Sequence, residues 1–213
     1  MTNKYLTIKQ NGEHEIIIKK SQFICNIARI KDEDEANNFI NTIKEKHKKA
    51  THNCYAYILG KDDHIQRASD NGEPTGTAGV PILEAMKLNE IHNVVAVVTR
   101  YFGGIKLGAG GLIRAYSNAT SSTIEKIGIV NKILQTKIDI VVDYNLFDKL
   151  NYHLTENNVN IIETKYTSQV MVSVSVNKES IKEFQKKIIN LLSDKVSFNI
   201  GDDQYFEVDY KKD

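Results

Sequence analysis

Val94-Val-Ala-Val-Val-Thr-Arg-Tyr-Phe-Gly-Gly-Ile-Lys-Leu-Gly-Ala-Gly-Gly111 is the stretch that decides how this chain is read. The run Val94–Val98 is β-branched almost throughout and shows no polar alternation, the mark of a strand buried on both faces. Five glycines then fall within the nine residues 103–111. Behind them Leu112, Ile113, Tyr116, Ala119 and Ile127 recur at helical spacing. Strand, glycine loop and helix in that order place free backbone N–H groups at the start of a helix. Such a terminus attracts phosphate or carboxylate. Arg100, Lys106 and Arg114 lie close enough in sequence to add positive charge. The candidate anion or nucleic-acid site is therefore Arg100, Tyr101, Gly103, Gly104, Lys106, Gly108, Gly110, Gly111 and Arg114. A second reading stands beside it, in which the glycines serve only the packing of a tight turn.

Two nucleotide loops do not fit this stretch. A Walker A loop needs Gly-Lys-Ser/Thr entering the helix, and Gly111 is followed by Leu112 and Ile113. The dinucleotide fingerprint needs a third glycine where this chain has Ile113.

Upstream, Tyr5-Leu-Thr-Ile and Glu15-Ile-Ile-Ile flank Asn11-Gly12, which predicts a hairpin. Phe23, Cys25 and Ile27 line one face of another strand. Asp32 and Glu35 resemble a capping box before a helix bearing Ala36, Phe39, Ile40 and Ile43. A strand over about 51–59 turns at Lys61-Asp62-Asp63 into a shorter one ending near Arg67. A polar turn, Ser69–Gly76, and a short helix with Pro81 in its first turn follow. Downstream, residues 137–210 read as strand, helix, two strands, helix and strand, with Val170, Val172, Val174 and Val176 alternating. Asp143 and Asn177 stand where they would cap the two helices. The order βαββαβ is the split-βαβ, ferredoxin-like pattern. The chain thus reads as α+β with two domains, residues 1–133 and 134–213.

Composition suits this. The chain has 213 residues, 41% apolar and 26% charged, with no apolar run long enough for a membrane helix. Its opening residues lack the apolar core of a signal peptide, and two cysteines make no disulfide framework, so a cytoplasmic location is expected. Net charge is +1, but residues 1–136 hold 18 Lys and Arg against 14 Asp and Glu, and the remainder 10 against 13. A polyanion would prefer the first part.

A second constellation is His52, Cys54, His64, Asp70 and Glu73. Zinc binding, or a Cys–His nucleophile pair with an acidic orienter, is chemically open to such a set. Structural roles are the favoured reading: Cys54 alternates with Ala56 and Ile58 as a core residue does, and Asp70 and Glu73 suit side-chain bonds within their turn. His52, Asp70 and Glu73 remain a candidate polar site, with no metal or cofactor assigned. Tyr55, Tyr57, Tyr101, Phe102 and Tyr116 are candidates for stacking on bases, with Tyr101-Phe102 beside Arg100 foremost.

Taken together, Ser21-Gln-Phe-Ile, Thr51-His-Asn-Cys-Tyr-Ala-Tyr, Ser69-Asp-Asn-Gly-Glu-Pro-Thr-Gly-Thr-Ala-Gly and Arg100–Tyr116 resemble the IMPACT/YigZ family in its bacterial two-domain form. Gln22 stands where a basic residue is expected in many members. The resemblance implies a first domain like the second domain of a small-subunit ribosomal protein and a ferredoxin-like second domain. A similar pair lies at the ribosome-contacting end of elongation factor G. Eukaryotic relatives are linked to translational control through the activator of a stress kinase. Some bacterial relatives are labelled peptidases, but H-E-x-x-H is absent here. The expected function is an RNA- or ribosome-associated module that binds phosphate, with a protein partner as a further possibility and no membrane. The alternative is an enzyme, hydrolase-like, acting on a small anionic metabolite through His52, Asp70 or Glu73.

Overall fold

The strand Val94–Tyr101 runs through the middle of its sheet, which explains why it carries no polar alternation. A computed structural model describes residues 4–60 and 62–210; Met1, Thr2 and Asn3 of the opening segment and Lys61 of the expected turn lie outside the described residues. The chain divides into two compact units. One comprises Lys4–Asn131 with residues 208–210, the other Lys132–Glu207.

In the first unit the elements are β1 (Lys4–Ile8), β2 (Gly12–Ile18), β3 (Ser21–Arg29), α1 (Glu33–Lys46), β4 (His52–Leu59), β5 (Ile65–Ser69), α2 (Gly79–Leu88), β6 (Val94–Tyr101) and α3 (Ala109–Ile127). The sheet order is β2-β3-β6-β4-β5. Successive residues of β6 face opposite layers. Val95 and Val97 pack with Ala36, Ile40 and Ile43 of α1. Val94, Ala96 and Val98 pack with Phe23, Cys25, Cys54, Ile82, Met86 and Tyr116 under α2 and α3. Asp32 caps α1 by accepting from Glu35 N at 2.8 Å, while Glu35 accepts from Lys31 N rather than from the cap residue itself.

The expected hairpin across Asn11-Gly12 does not form. β1 pairs with β7 (Ile129–Val142), a strand that starts in this unit, and Lys9 N donates to Gly128 O at 2.8 Å. Arg29 is the physical reason. Its Nε and Nη2 donate to the carbonyls of Ile8 and Lys9, both at 2.7 Å, and its N–H donates to Asn11 Oδ1. The local turn signal is overridden by these three bonds. The hairpin of this region is instead β2–β3, closed by Lys19 and Lys20 at φ 45° and 65° with Ile18 opposite Ser21. Two central residues at positive φ make the turn that suits strand twist, here without its usual Asn-Gly.

The second unit contains most of β7, then α4 (Tyr144–Glu156), β8 (Asn160–Tyr166), β9 (Val170–Val176), a single 3-10 turn (Lys178–Ser180), α5 (Ile181–Leu192) and β10 (Ser197–Asp209). β10 pairs with β7, giving the order β10-β7-β9-β8, with β9 antiparallel to β7 and to β8. This is the ferredoxin-like arrangement, its core formed by Ile138, Ile140, Val172 and Val174 with Leu150, Leu154 and Ile188. Neither expected cap is made. The Asp143 carboxylate is drawn to Gln169 Nε2 and the Asn177 side-chain oxygen to Gln135 Nε2, so both helices start without a side-chain cap bond.

Candidate functional site

Strand register brings three distant segments to one end of the five-stranded sheet. Gln22 stands opposite Tyr101 and His52 opposite Arg100, so the β2–β3 turn, the start of β4 and the glycine loop after β6 meet there. Arg100 follows Val94, Ala96 and Val98 on the face covered by α2 and α3. Its guanidinium carbon lies 5.5 Å from the ring centroids of both Phe23 and Phe102. Its Nη1 donates to Glu73 Oε1 at 2.7 Å, and the two side chains are only 7% and 3% exposed. Tyr116 of α3 donates to the same carboxylate oxygen at 2.8 Å. Burial, reinforced by Cys54 and Glu73, pushes the Tyr116 hydroxyl far above its ordinary value, so it remains a donor.

The polar turn before α2 supplies the rest. His52 Nδ1 lies 2.9 Å from the carbonyl of Asn71, which can only accept. That contact puts the proton on Nδ1 and leaves Nε2 facing Glu73 Oε2 across 3.8 Å. Asp70 is occupied elsewhere: its carboxylate accepts from Gly76, Ala78 and Gly79 N–H groups at 2.8–2.9 Å and so holds the start of α2. Burial pushes its carboxyl up, but the three amides outweigh that and hold it below the usual range. His64 pairs with Asp62 instead of joining the others. Burial, with the Glu73 and Asp70 charges adding to it, pushes the Cys54 thiol up to about 12, which suits an inert core thiol rather than a nucleophile. Burial takes Cys25 to about 12 as well. Among the described residues no three His, Cys, Asp or Glu side chains converge as a metal shell would require.

Arg100, Glu73 and His52 form the polar wall of a cleft of about 390 Å³. Phe102, Leu107 and Leu112 form its apolar wall, and Lys106, Gly108 and Ala109 its mouth. Arg100 Nε is buried and has no hydrogen-bond partner. The start of α3 opens into the same space: its N-cap is Gly108 at φ 69°, no side chain caps it, and no acidic residue stands in its first turn. Around this end of the sheet Lys19, Lys20, Lys48, Lys49 and Lys106 are exposed. None of the five forms a side-chain hydrogen bond or ion pair among the described residues. The buried charge of Arg100 is matched by Glu73, so the net positive field at the mouth comes from these lysines and the helix start.

The Impact N-terminal domain matches residues 19–124, and a domain of unknown function (DUF1949) matches residues 140–195. IMPACT family member YvyE of Bacillus subtilis (strain 168) is 44% identical over 207 residues, covering 97% of this chain and 95% of that protein. The chain belongs to the IMPACT family. IMPACT family member YigZ of Escherichia coli (strain K12) is 32% identical over 173 residues, covering 80% of the chain and 85% of YigZ. A crystal structure of a hypothetical protein superposes with a TM-score of 0.61 at 27% identity, covering 93% of this chain and 97% of the other.

Within this IMPACT family fold the glycines divide by role. A Cβ at Gly103 would lie 2.0 Å from the carbonyl carbon of Lys20, so only glycine fits where the loop crosses the β2–β3 turn. Gly104 and Gly108 are at φ 84° and 69° in open surroundings, and serve the chain reversal. A Cβ at Gly111 would come within 3.1 Å of Leu107 Cβ. Gly110 has ordinary φ and nothing closer than Arg114 Nη1 at 3.8 Å, so neither sterics nor backbone conformation calls for glycine there. Arg114 is exposed on α3. Of the five aromatic rings flagged for stacking, Phe102 alone is exposed, at 49%. Tyr116 and Tyr57 are buried, Tyr55 lies under Lys44, and the Tyr101 hydroxyl lies 3.0 Å from His47 Nδ1. Residues that sequence reasoning passed over at this site are Lys19, Lys20, Leu107 and Tyr116 as the donor to Glu73. Only the register of β3 and β6 brings the first pair in, and no local pattern announces it.

Proposed function

We propose that this IMPACT family member is an RNA- or ribosome-associated module in translational regulation, which binds phosphate at the cleft beside the start of α3. Residues 1–133 carry the binding site and residues 134–213 set orientation or the choice of partner. The observation that carries the reading is a convergence. Buried Arg100, whose Nε has no partner, and the uncapped start of α3 line one cleft with Lys106, and Lys19, Lys20, Lys48 and Lys49 are exposed at the same end of the sheet. Helix-start amides and a guanidinium suit a phosphate oxygen, and lysines at the rim suit the charges on either side of it. The cytoplasm is the compartment this role requires, and no helix of the described residues is long and apolar enough to cross a membrane.

Binding of structured and single-stranded RNA, followed by fluorescence anisotropy across a salt series, tests the proposal. Engagement of about five phosphates on a single strand gives a log–log salt slope of roughly −3 to −4. Replacing Lys19, Lys20, Lys48 and Lys49 by Ala flattens that slope. An absence of binding at low salt refutes the reading.

A second reading is favoured by one observation, the aim of His52 Nε2 into a cleft of small-molecule size. In it, His52 and Glu73 move protons on a small anionic metabolite held at the α3 start, and Asp70, committed to three amides, takes no part. A large saturable thermal shift with one sugar phosphate or nucleotide, in the absence of RNA binding, selects this reading. A protein partner offering an acidic side chain to the same cleft is distinguished by a pull-down that survives nuclease.

A further inference from the structure

We infer that the cleft receives one unpaired ribonucleotide and reads its 2′-hydroxyl, so that the protein discriminates RNA from DNA. The inference rests on the RNA reading above and narrows it to a single nucleotide within the strand.

Three surfaces of the cleft carry the inference. The first is a pair of acceptors with no donor between them. In the neutral imidazole, with Nδ1–H committed to the Asn71 carbonyl, the lone pair of His52 is on Nε2. Glu73 Oε2 stands 3.8 Å away, beyond hydrogen-bond distance, and among the described residues only Oε1 of this carboxylate receives hydrogen bonds. Two facing acceptors call for a donor from outside, and a ribose 2′-hydroxyl supplies one where deoxyribose has only hydrogen.

The second surface is the anion site. Arg100 is 94% buried, its Nε is unpartnered, and it lines the same cleft as Gly108 and Ala109 at the start of α3. A phosphate there lies beside the Arg100 guanidinium and the helix-start amides, with Lys106 lining the same cleft. Gly110, which nothing in the fold requires to be glycine, leaves the first turn of α3 open to close approach. The third surface is Phe102, half exposed although it lines the cleft, with the Arg100 guanidinium 5.5 Å from its ring centroid. An exposed ring steadied in this way is a platform on which a base stacks. The volume of about 390 Å³ falls near the lower end of small-ligand sites, which matches one nucleotide and excludes a duplex.

The test compares three oligomers of the same sequence with the full chain at one salt concentration: a short oligouridylate, its deoxy counterpart, and its 2′-O-methyl counterpart, which keeps the oxygen but cannot donate. The ribo form is expected to bind on the order of tenfold more tightly than either of the others, the equivalent of one hydrogen bond, here to His52 Nε2. His52→Ala, at a partly exposed position, reduces that ratio toward one. Phe102→Leu weakens all three oligomers alike and leaves the ratio standing. Equal affinity for the three overturns the inference while the broader reading of phosphate binding stands. Failure of all three to bind overturns both.

Discussion

Replacing Glu73 by Ala tests whether Arg100 is held as a neutralised, buried cation. The Glu73 carboxylate accepts from Arg100 Nη1 at 2.7 Å and from Tyr116 Oη at 2.8 Å, with side-chain exposures of 3% for Glu73 and 7% for Arg100. Removing one partner of a buried ion pair costs about 3–5 kcal/mol, because the other charge is left without compensation. The stranded Tyr116 hydroxyl adds roughly 1 kcal/mol, not fully additive because both donors share one oxygen. A loss of about 4 kcal/mol is a large part of the typical 5–15 kcal/mol of a domain and lowers Tm by on the order of 15 °C. Adding Arg100→Met to Glu73→Ala is expected to recover most of the loss, since an apolar replacement of the whole pair is near neutral. Denaturant and thermal unfolding of wild type, both single variants and the double variant yield the coupling directly. Sulfate supplies a further readout. Glu73→Ala leaves the guanidinium facing the cleft uncompensated, so added sulfate raises its Tm more than that of wild type at the same concentration. A single variant within about 1 kcal/mol of wild type, or a double variant no better than the single, refutes the buried pair.

The glycine loop makes two opposed predictions. Gly103→Ala forces a Cβ to 2.0 Å from the Lys20 backbone and destabilises by about 3 kcal/mol or more. Gly110→Ala meets open space and stabilises α3 by about 0.5–1 kcal/mol, while weakening RNA binding by narrowing the approach to the first-turn amides. Lys19→Asn with Lys20→Gly relieves two residues at φ 45° and 65° and stabilises the hairpin by about 1 kcal/mol, with a measurable loss of RNA affinity as two rim charges disappear. Asp70→Ala frees three amides at the start of α2 and costs about 2–3 kcal/mol by urea unfolding at neutral pH. Because its folded-state carboxyl is held low, Asp70 contributes fully above the ordinary value near pH ~4, and that contribution is lost as pH falls further. Wild type therefore loses stability faster than Asp70→Ala below that point, and parallel acid-unfolding curves would contradict the assignment.

What was legible in the sequence was local in origin. Val94–Val98 reads as a central strand because a strand with α1 on one face and α2 with α3 on the other has no wet side to mark with polar residues. The alternation of Val170–Val176 and the order of the surrounding elements likewise carry the ferredoxin-like unit. Errors arose where a local signal competes with a distant partner. Asn11-Gly12 is a strong turn dipeptide, yet Arg29, seventeen positions or more away, binds the consecutive carbonyls of Ile8 and Lys9 just before it and sends β1 elsewhere. Asp143 and Asn177 occupy capping positions but have glutamine partners that no window around them contains.

The candidate site obeys the same division, and its chemistry follows from it. The glycine loop is visible because strand, loop and helix are consecutive. Glu73, Arg100 and Tyr116 share one hydrogen-bonded oxygen only because three elements converge, and a formal charge read from sequence says nothing of that pairing. The net charge of +4 over residues 1–136 therefore misplaces the positive field in detail. Arg100, just before the glycines, is largely neutralised, whereas Lys19, Lys20, Lys48 and Lys49 are brought to the same end of the sheet from a hairpin turn and the segment after α1. A buried arginine with one unfilled N–H supplies direction and little net charge; exposed lysines supply charge and little direction. Phosphate recognition requires both. Salt is then expected to weaken the lysine contribution preferentially and to spare the ribose contact at His52 and Glu73, so the ratio of RNA to DNA affinity should hold steady while both affinities fall.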